Sequence, residues 1–195
     1  MTAGALQVDG TLTHSATTVT GATLKGTGTL GTVTLNAGAT LMAGDSAATL
    51  GSLTTGNLLF NPNATLQFKL DSSLAQSDLL TVTGSLTLNN TALDLTDVAT
   101  IGAPIAFGTR LTLLLYGDGM GNGLGSGSKL FTFEGRQLTE GSTFTDGINT
   151  FQINYAYGDP AITLTSVVPE PQTWLLLLPV LGLLIFCKRR LVRPS

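Results

Sequence analysis

Short stretches of alternating polar and apolar residues recur along the first half of the chain, each preceded by a turn residue. The alternation is clearest in residues 32–35 (TVTL) and 64–70 (ATLQFKL). Successive side chains of a strand point to opposite faces, so this pattern predicts strands with Val, Leu and Phe on one face and Thr, Gln and Lys69 on the other. Such strands bury their apolar faces only when similar units stack. The pattern predicts an all-β fold whose body, residues 1–116, is a right-handed parallel β-helix or solenoid.

The few charges of the chain are unevenly distributed. Only 11% of the residues are charged, the formal net charge is −3, and Lys188, Arg189, Arg190 and Arg193 lie at the C-terminal end. The remaining basic residues are scattered over an acidic body and form no cationic stripe that could neutralise phosphates. Nucleic-acid binding is therefore not expected.

The single cysteine, Cys187, excludes an intrachain disulfide and a zinc site built from clustered cysteines. It lies at the end of an apolar run, where it is interpreted as a small apolar residue, with lipidation of its thiol as the alternative. Residues 117–128 (GDGMGNGLGSGS) have Gly at every second position and predict a flexible surface loop. Asp118 is the only acidic residue there, so the regularly spaced aspartates of a calcium-binding repeat are missing and no metal site is expected.

The C-terminal region predicts a single transmembrane helix. Residues 173–187 (TWLLLLPVLGLLIFC) contain no charge and are followed at once by Lys188, Arg189 and Arg190. As a helix this segment covers roughly 22 Å, less than the ~30 Å hydrocarbon core, so flanking side chains must extend its reach. The basic tail, residues 188–193, should stay cytoplasmic and place the body outside. An ordinary tail anchor would share these features.

A more specific signal comes directly before this segment. Pro169, Glu170 and Pro171 form an extended stretch that neither pairs in a sheet nor continues a helix, which leaves its backbone accessible to a protease. With the apolar segment and the basic end, residues 167–195 resemble the PEP-CTERM sorting domain of Gram-negative bacteria. The resemblance implies recognition and processing by exosortase, a membrane cysteine transpeptidase, and delivery to the cell surface or extracellular matrix.

The body of the chain resembles a second known family. Residues 31–46 (GTVTLNAGATLMAGDS), 58–70 and 78–88 resemble the autotransporter-associated β-strand repeat of surface passenger domains. Residues 138–144 and 151–155 resemble the strands that close such repeats, which implies that residues 129–166 form a closing β-segment. The usual acidic ending of that segment is largely absent around Asp159, so the resemblance supports no calcium site there.

Glycines at positions 26, 28 and 31 match the Gly-x-Gly-x-x-Gly spacing of dinucleotide sites. That site requires a helix after the last glycine, whereas residues 32–35 predict a strand, so no nucleotide is expected. His14 is the only histidine, and no Gly-x-Ser-x-Gly motif accompanies it. No catalytic residue, cofactor or metal is predicted, and the chain is interpreted as not being an enzyme.

Carboxylates could still support carbohydrate cleavage, which parallel β-helices carry out with acidic residues clustered on one face. Asp94 and Asp97 have an odd separation, which places them on opposite faces of a strand, and Asp71 and Asp78 flank a predicted turn. All four are interpreted as solvated residues.

These observations favour an exported structural or adhesive protein whose partners are exosortase, the lipid bilayer through residues 173–187, and exopolysaccharide. The alternative is a carbohydrate-binding or carbohydrate-cleaving β-helix, with Tyr155 and Tyr157 stacking on sugar unless their common face belongs to the core. Residues 1–6 have neither a basic nor an apolar leader segment, although export requires one. A longer reading frame with an upstream signal peptide is therefore expected.

Overall fold

The computed structural model describes residues 1–117, 124, 127–155 and 160–168. These residues contain twenty strands and no helix, so the prediction of an all-β body is confirmed. The segment predicted to cross the membrane, residues 173–187, lies outside the described residues.

The chain winds in successive coils, each contributing strands to three sheets, which we call faces A, B and C. In chain order the strands of the coils are β1 (Ala5–Gln7), β2 (Thr11–Leu12), β3 (Thr17–Val19), β4 (Thr23–Gly26), β5 (Thr29–Leu30), β6 (Val33–Leu35), β7 (Thr40–Ala43), β8 (Ser52–Thr55), β9 (Leu58–Phe60), β10 (Thr65–Asp71), β11 (Gln76–Ser77), β12 (Leu79–Val82), β13 (Leu86–Thr87), β14 (Thr91–Asp97) and β15 (Arg110–Tyr116). The last five strands are β16 (Phe131–Phe133), β17 (Arg136–Leu138), β18 (Thr143–Thr145), β19 (Thr150–Asn154) and β20 (Ala161–Val167).

Strands from successive coils pair in parallel on every face. Face A runs β1-β4-β7-β10-β14-β16, face B runs β2-β5-β8-β12-β15, and face C runs β3-β6-β9-β13. Neighbouring parallel strands come from consecutive coils. Each return path has a strand on both other faces, except the path from β14 to β16, in which the described residues form only β15, on face B. This arrangement confirms the prediction of parallel sheets in a solenoid-like body.

The core consists of columns of apolar side chains that repeat from coil to coil. On face A, one column pairs Leu6 with Leu24, Leu24 with Leu41, Leu41 with Leu66 and Leu66 with Leu93. The last four are buried, whereas Leu6 at the end of the stack is only half-buried. The period of two places the leucines inside and the intervening threonines at the half-buried outer surface, so stacking buries what a single strand leaves exposed.

Polar side chains also stack, at the corner that follows face C. The Asn61 side-chain amide donates to Asn36 Oδ1 at 2.7 Å, and the Asn36 amide donates to Thr20 Oγ1 at 3.0 Å. One coil farther, the Asn89 amide donates to the carbonyl oxygen of Phe60 at 2.9 Å. These bonds satisfy corner groups that the sheets leave unpaired, and they link consecutive coils along the axis of the body.

The C-terminal end of the stack is covered by antiparallel strands. β20 pairs with β15, β19 with β20 and β18 with β19, while β17 folds back on β16. The β15–β20 pairing contains an irregularity between Thr112 and Leu114. We call β16 to β20 the cap, because these strands end the parallel pairing of faces A and B.

Candidate functional site

The residues predicted to direct sorting lie beyond the described part of the chain. Pro169, Glu170 and Pro171 follow Val168, and Lys188, Arg189 and Arg190 are farther still, all outside the described residues. Val168 is 62% exposed directly after β20, so the chain leaves the cap at its surface. Within the described ranges, no helix is long and apolar enough to cross a membrane.

The Gly-x-Gly-x-x-Gly segment has a packing explanation. Gly31 is followed by strand β6 and not by a helix, as predicted. A Cβ on Gly26 would overlap the carbonyl oxygen of Val8, and a Cβ on Gly28 would overlap that of Gly10. These glycines let two coils approach closely at the corner between faces A and B, which removes the need for a ligand to explain them.

Three of the four carboxylates considered for catalysis belong to turns or to the surface. Asp94 is exposed. Asp97 is half-buried, and its Oδ1 accepts hydrogen bonds from the backbone N–H groups of Ser72 and Ala99. Its Oδ2 is buried and has no hydrogen-bond partner within the described ranges, so the prediction that Asp97 is solvated is not confirmed. Asp71 Oδ1 accepts from the Ser73 hydroxyl and from the backbone of Ser73 and Leu74 in the turn that follows β10. The hydrogen bond from the Ser73 hydroxyl is the largest cause that lowers the pKa of Asp71.

The expectation that Asp78 is solvated is wrong, and Lys69, which was predicted on the outer face of its strand, is buried as well. Their side chains are 0% and 1% exposed and form an ion pair, with 2.8 Å between Lys69 Nζ and Asp78 Oδ2. Asp78 also accepts from the backbone N–H groups of Gly51, at 2.8 Å, and of Lys69, at 2.9 Å. Lys69 Nζ donates in addition to the carbonyl oxygen of Ala43. Every charged atom of the pair therefore has a partner, as buried charges require.

Lys69 does alternate with its buried neighbours Phe68 and Leu70, but the outer side of β10 is covered at this point. The chain turns after Asp71, and β11 pairs back onto β10, with Ser77 opposite Leu70. Burial is the dominant effect on Asp78 and raises the pKa of its carboxyl group, while the hydrogen bonds from Lys69 and Gly51 oppose it. A strand pattern carries no information about such a covering segment.

Tyr155 is not available for stacking on sugar. Its side chain is 0% exposed in the core of the cap. The phenol oxygen accepts from the backbone N–H of Phe131 at 2.7 Å, and its hydroxyl donates to the carbonyl oxygen of Leu138 at 2.8 Å. Burial raises the pKa of Tyr155, which therefore stays neutral. Tyr157 lies outside the described residues.

A groove on the cap, not predicted from the sequence, brings together aromatic and charged side chains. It has a volume of about 360 Å³ and is lined by residues that include Phe133, Glu134, Arg136, Thr143, Phe144 and Thr145. The rings of Phe133 and Phe144 lie 4.7 Å apart between centroids and are tilted by 42°. Phe133 is half-buried, whereas Glu134, Arg136 and the two threonines are exposed.

The turn beside this groove has an unusual residue at its first position. Glu134 and Gly135 connect β16 to β17 with φ angles of 49° and 78°. Positive φ at both central residues defines a type I′ hairpin turn, in which Asn-Gly or Asp-Gly is the usual pair. A left-handed conformation costs a residue such as Glu roughly 1–2 kcal/mol. The sequence of residues 131–138 (FTFEGRQL) could have indicated a hairpin, which was not predicted, but nothing in it indicates that Phe144 would lie opposite.

Fold and site together define a class: an all-β, solenoid-like protein with an antiparallel cap that carries an aromatic, charged groove. Among the described residues no group of three His, Cys, Asp or Glu side chains is placed to hold a metal ion. Neither a scan against protein-family models nor a search of the curated proteins found a match to this chain.

Proposed function

We propose that this chain is an exported structural or adhesive protein of the cell surface or extracellular matrix of a Gram-negative bacterium, sorted and processed by exosortase. The observation that carries the proposal is the order of three features in residues 167–195: Pro169-Glu170-Pro171, an uncharged apolar segment, and Lys188-Arg189-Arg190. An ordinary anchor needs the last two features and gives no reason for the first.

The motif, the apolar segment and the basic end each have one role in the proposal. Residues 173–187 form a membrane helix whose basic end stays in the cytoplasm. The two prolines keep the preceding segment extended at the outer boundary of the bilayer, where a peptide bond can enter a membrane-bound protease. Exosortase then separates the body from the helix. The residue before the Pro169-Glu170-Pro171 motif, Val168, is exposed at the surface of the cap.

The character of the body supports a scaffold role. Its parallel strands are joined coil to coil by backbone hydrogen bonds, by leucine columns and by the asparagine stack around Asn36 and Asn61. A chain that stacks in this way is stiff along one axis and presents rows of threonine, as in the pairing of Thr23 with Thr40 and of Thr40 with Thr65. We include a right-handed winding in the proposal, because crossover connections between parallel strands are almost always right-handed.

The test is surface exposure of the body in cells with and without exosortase. Cells producing the chain are treated with an external protease, and the body is followed by immunoblot. We expect exposure only with the enzyme, and its loss when Pro169, Glu170 and Pro171 are all changed to Ala. Pro104→Ala, at an exposed position of the body, is the matched control and should behave like the unchanged chain. Equal exposure of the triple variant would contradict the proposal.

The carbohydrate-binding alternative keeps one supporting observation. Tyr155 is buried and cannot contact a sugar, but the groove on the cap offers a different site. Carbohydrate binding is compatible with an adhesive surface protein, so we treat it as an addition to the sorting proposal.

A further inference from the structure

We propose that the cap groove binds an acidic saccharide, with a pyranose ring against Phe133, sugar hydroxyls on Glu134 and a sugar carboxylate on Arg136. The inference deepens the adhesive role proposed above by naming the class of partner. It concerns binding by the folded chain itself, so it can be tested without exosortase.

The two charged side chains of the groove have no partner of their own within the described part of the chain. Glu134 and Arg136 flank one turn, and both are exposed at the groove. Among the described residues, neither side chain forms a hydrogen bond or an ion pair. A free carboxylate accepts hydrogen bonds from neighbouring hydroxyls, and a free guanidinium offers a planar set of donors that suits a carboxylate.

The backbone of Glu134 is strained. Its φ of 49° is unfavourable for Glu, and its side chain forms no hydrogen bond or ion pair with the described residues that would offset the cost. Asn at this position would form the same turn at lower energy. Strained residues of this kind concentrate at binding and catalytic sites, where the side chain serves something other than folding.

The groove also offers an aromatic surface to a sugar ring. A pyranose ring has an apolar face of C–H groups, and aromatic side chains provide a matching flat surface. Phe133 is half-buried, so part of it remains available, and Phe144 supports it from strand β18. The exposed Thr143 and Thr145 on the same strand add hydroxyl groups at the edge. The volume of about 360 Å³ falls within the roughly 300–1,000 Å³ typical of small-ligand sites.

The experiment measures binding of two oligosaccharides to the purified full-length chain in detergent. One probe is a tetrasaccharide that alternates glucuronate and glucose, and the other is cellotetraose, which carries no carboxylate. Binding is followed by calorimetry and by ligand-detected NMR. We expect the acidic probe to bind at least about tenfold more tightly than the neutral probe, which corresponds to ~1.4 kcal/mol for the contact with Arg136.

Two variants make the test specific. Glu134→Asn removes the carboxylate and suits the turn, so it should weaken binding by about tenfold or more while the chain stays as stable or becomes more stable. Arg136→Gln should abolish the preference for the acidic probe. Asp94→Asn removes the same charge as the first variant from an exposed site on face A and should leave binding unchanged.

Several outcomes would overturn the inference. The first is that neither oligosaccharide binds detectably, and the second is that both bind with equal affinity. The third is that Glu134→Asn binds the acidic probe as tightly as the unchanged chain does. Equal weakening by Asp94→Asn would show an effect of overall charge and would also overturn it. A failure here leaves surface exposure of the body intact, whereas a failure of sorting leaves oligosaccharide binding intact, so the two proposals fail separately.

Discussion

The buried pair of Lys69 and Asp78 leads to a prediction with a definite magnitude. Changing Lys69 to Met keeps much of the side-chain volume and removes the charge that lies 2.8 Å from Asp78 Oδ2. The carboxylate then retains only backbone donors, those of Gly51 and of residue 69. Removing one partner of a buried ion pair costs about 3–5 kcal/mol, because the other charge stays buried and uncompensated. We expect the free energy of unfolding near pH 7 to fall by about 3 kcal/mol.

The pH dependence of this variant has a definite sign. Burial already raises the pKa of Asp78, and Lys69 is one of the groups that oppose the rise. Without Lys69 the pKa of Asp78 in the folded state should rise further. A carboxyl group whose pKa is higher folded than unfolded costs stability above its folded pKa, and this cost disappears as the pH falls through that value. The deficit of Lys69→Met should therefore be largest near neutral pH and shrink on acidification.

Urea unfolding followed by circular dichroism, at several pH values, measures both effects. Lys25→Met is the matched control, because Lys25 is also on face A but its Nζ donates only to the carbonyl oxygen of Asp45 near the surface. We expect the control to lose less than about 1 kcal/mol. The double variant Lys69→Met/Asp78→Leu should recover only part of the loss, because it removes the uncompensated charge but leaves the backbone N–H groups of Gly51 and residue 69 without their acceptor. A Lys69→Met variant as stable as the control at every pH would refute this reasoning.

Three further predictions concern the core, the cap and a turn. Leu66→Asp should unfold the neighbouring coils, because Leu66 is 2% exposed and several kcal/mol are lost when an unpaired charge is buried. Thr65→Asp, on the outer side of the same strand, should be tolerated. Thermal melts followed by circular dichroism measure both variants, and equal tolerance would contradict the register. Tyr155→Phe should cost about 1–3 kcal/mol by leaving two buried backbone groups unpaired, measured by urea unfolding, and an unchanged midpoint would contradict this. Asp71→Ala should speed backbone hydrogen exchange in the turn after β10 at any pH above the ordinary Asp pKa of 3.8. The difference from the unchanged chain should vanish as the pH falls through the lowered pKa of Asp71 in the folded state. A difference that persists in strong acid would exclude the carboxylate as its cause.

The architecture of the body was predictable because its signal is local and repeated. Alternation in residues 32–35 and 64–70 correctly placed Val33, Leu35, Leu66 and Phe68 in the core, and repetition of similar phrases indicated stacking. The absence of a helix after Gly31 followed from the same alternation.

The failures have one physical cause, which is contact between segments distant in sequence. Lys69 has the alternation of an outward residue, but the segment from Asp71 to Asp78 folds over it and supplies its counterion. The alternation left open whether Tyr155 stacks on sugar or belongs to the core, and only the contacts of its hydroxyl group with Phe131 and Leu138 assign it to the core. The groove depends on Phe144 meeting Phe133 across two hairpins. Single-strand periodicity contains none of these contacts.

The central claim is that exosortase processes this chain at its C-terminal signal, and the most direct test is the mass of the C-terminal peptide. The full-length chain is expressed in a host that contains exosortase and in a strain that lacks it. We predict that the residues after the Pro169-Glu170-Pro171 region are lost only when the enzyme is present. A chain that ends in intact Ser195 in both strains would contradict the claim and would leave the apolar segment as a plain anchor.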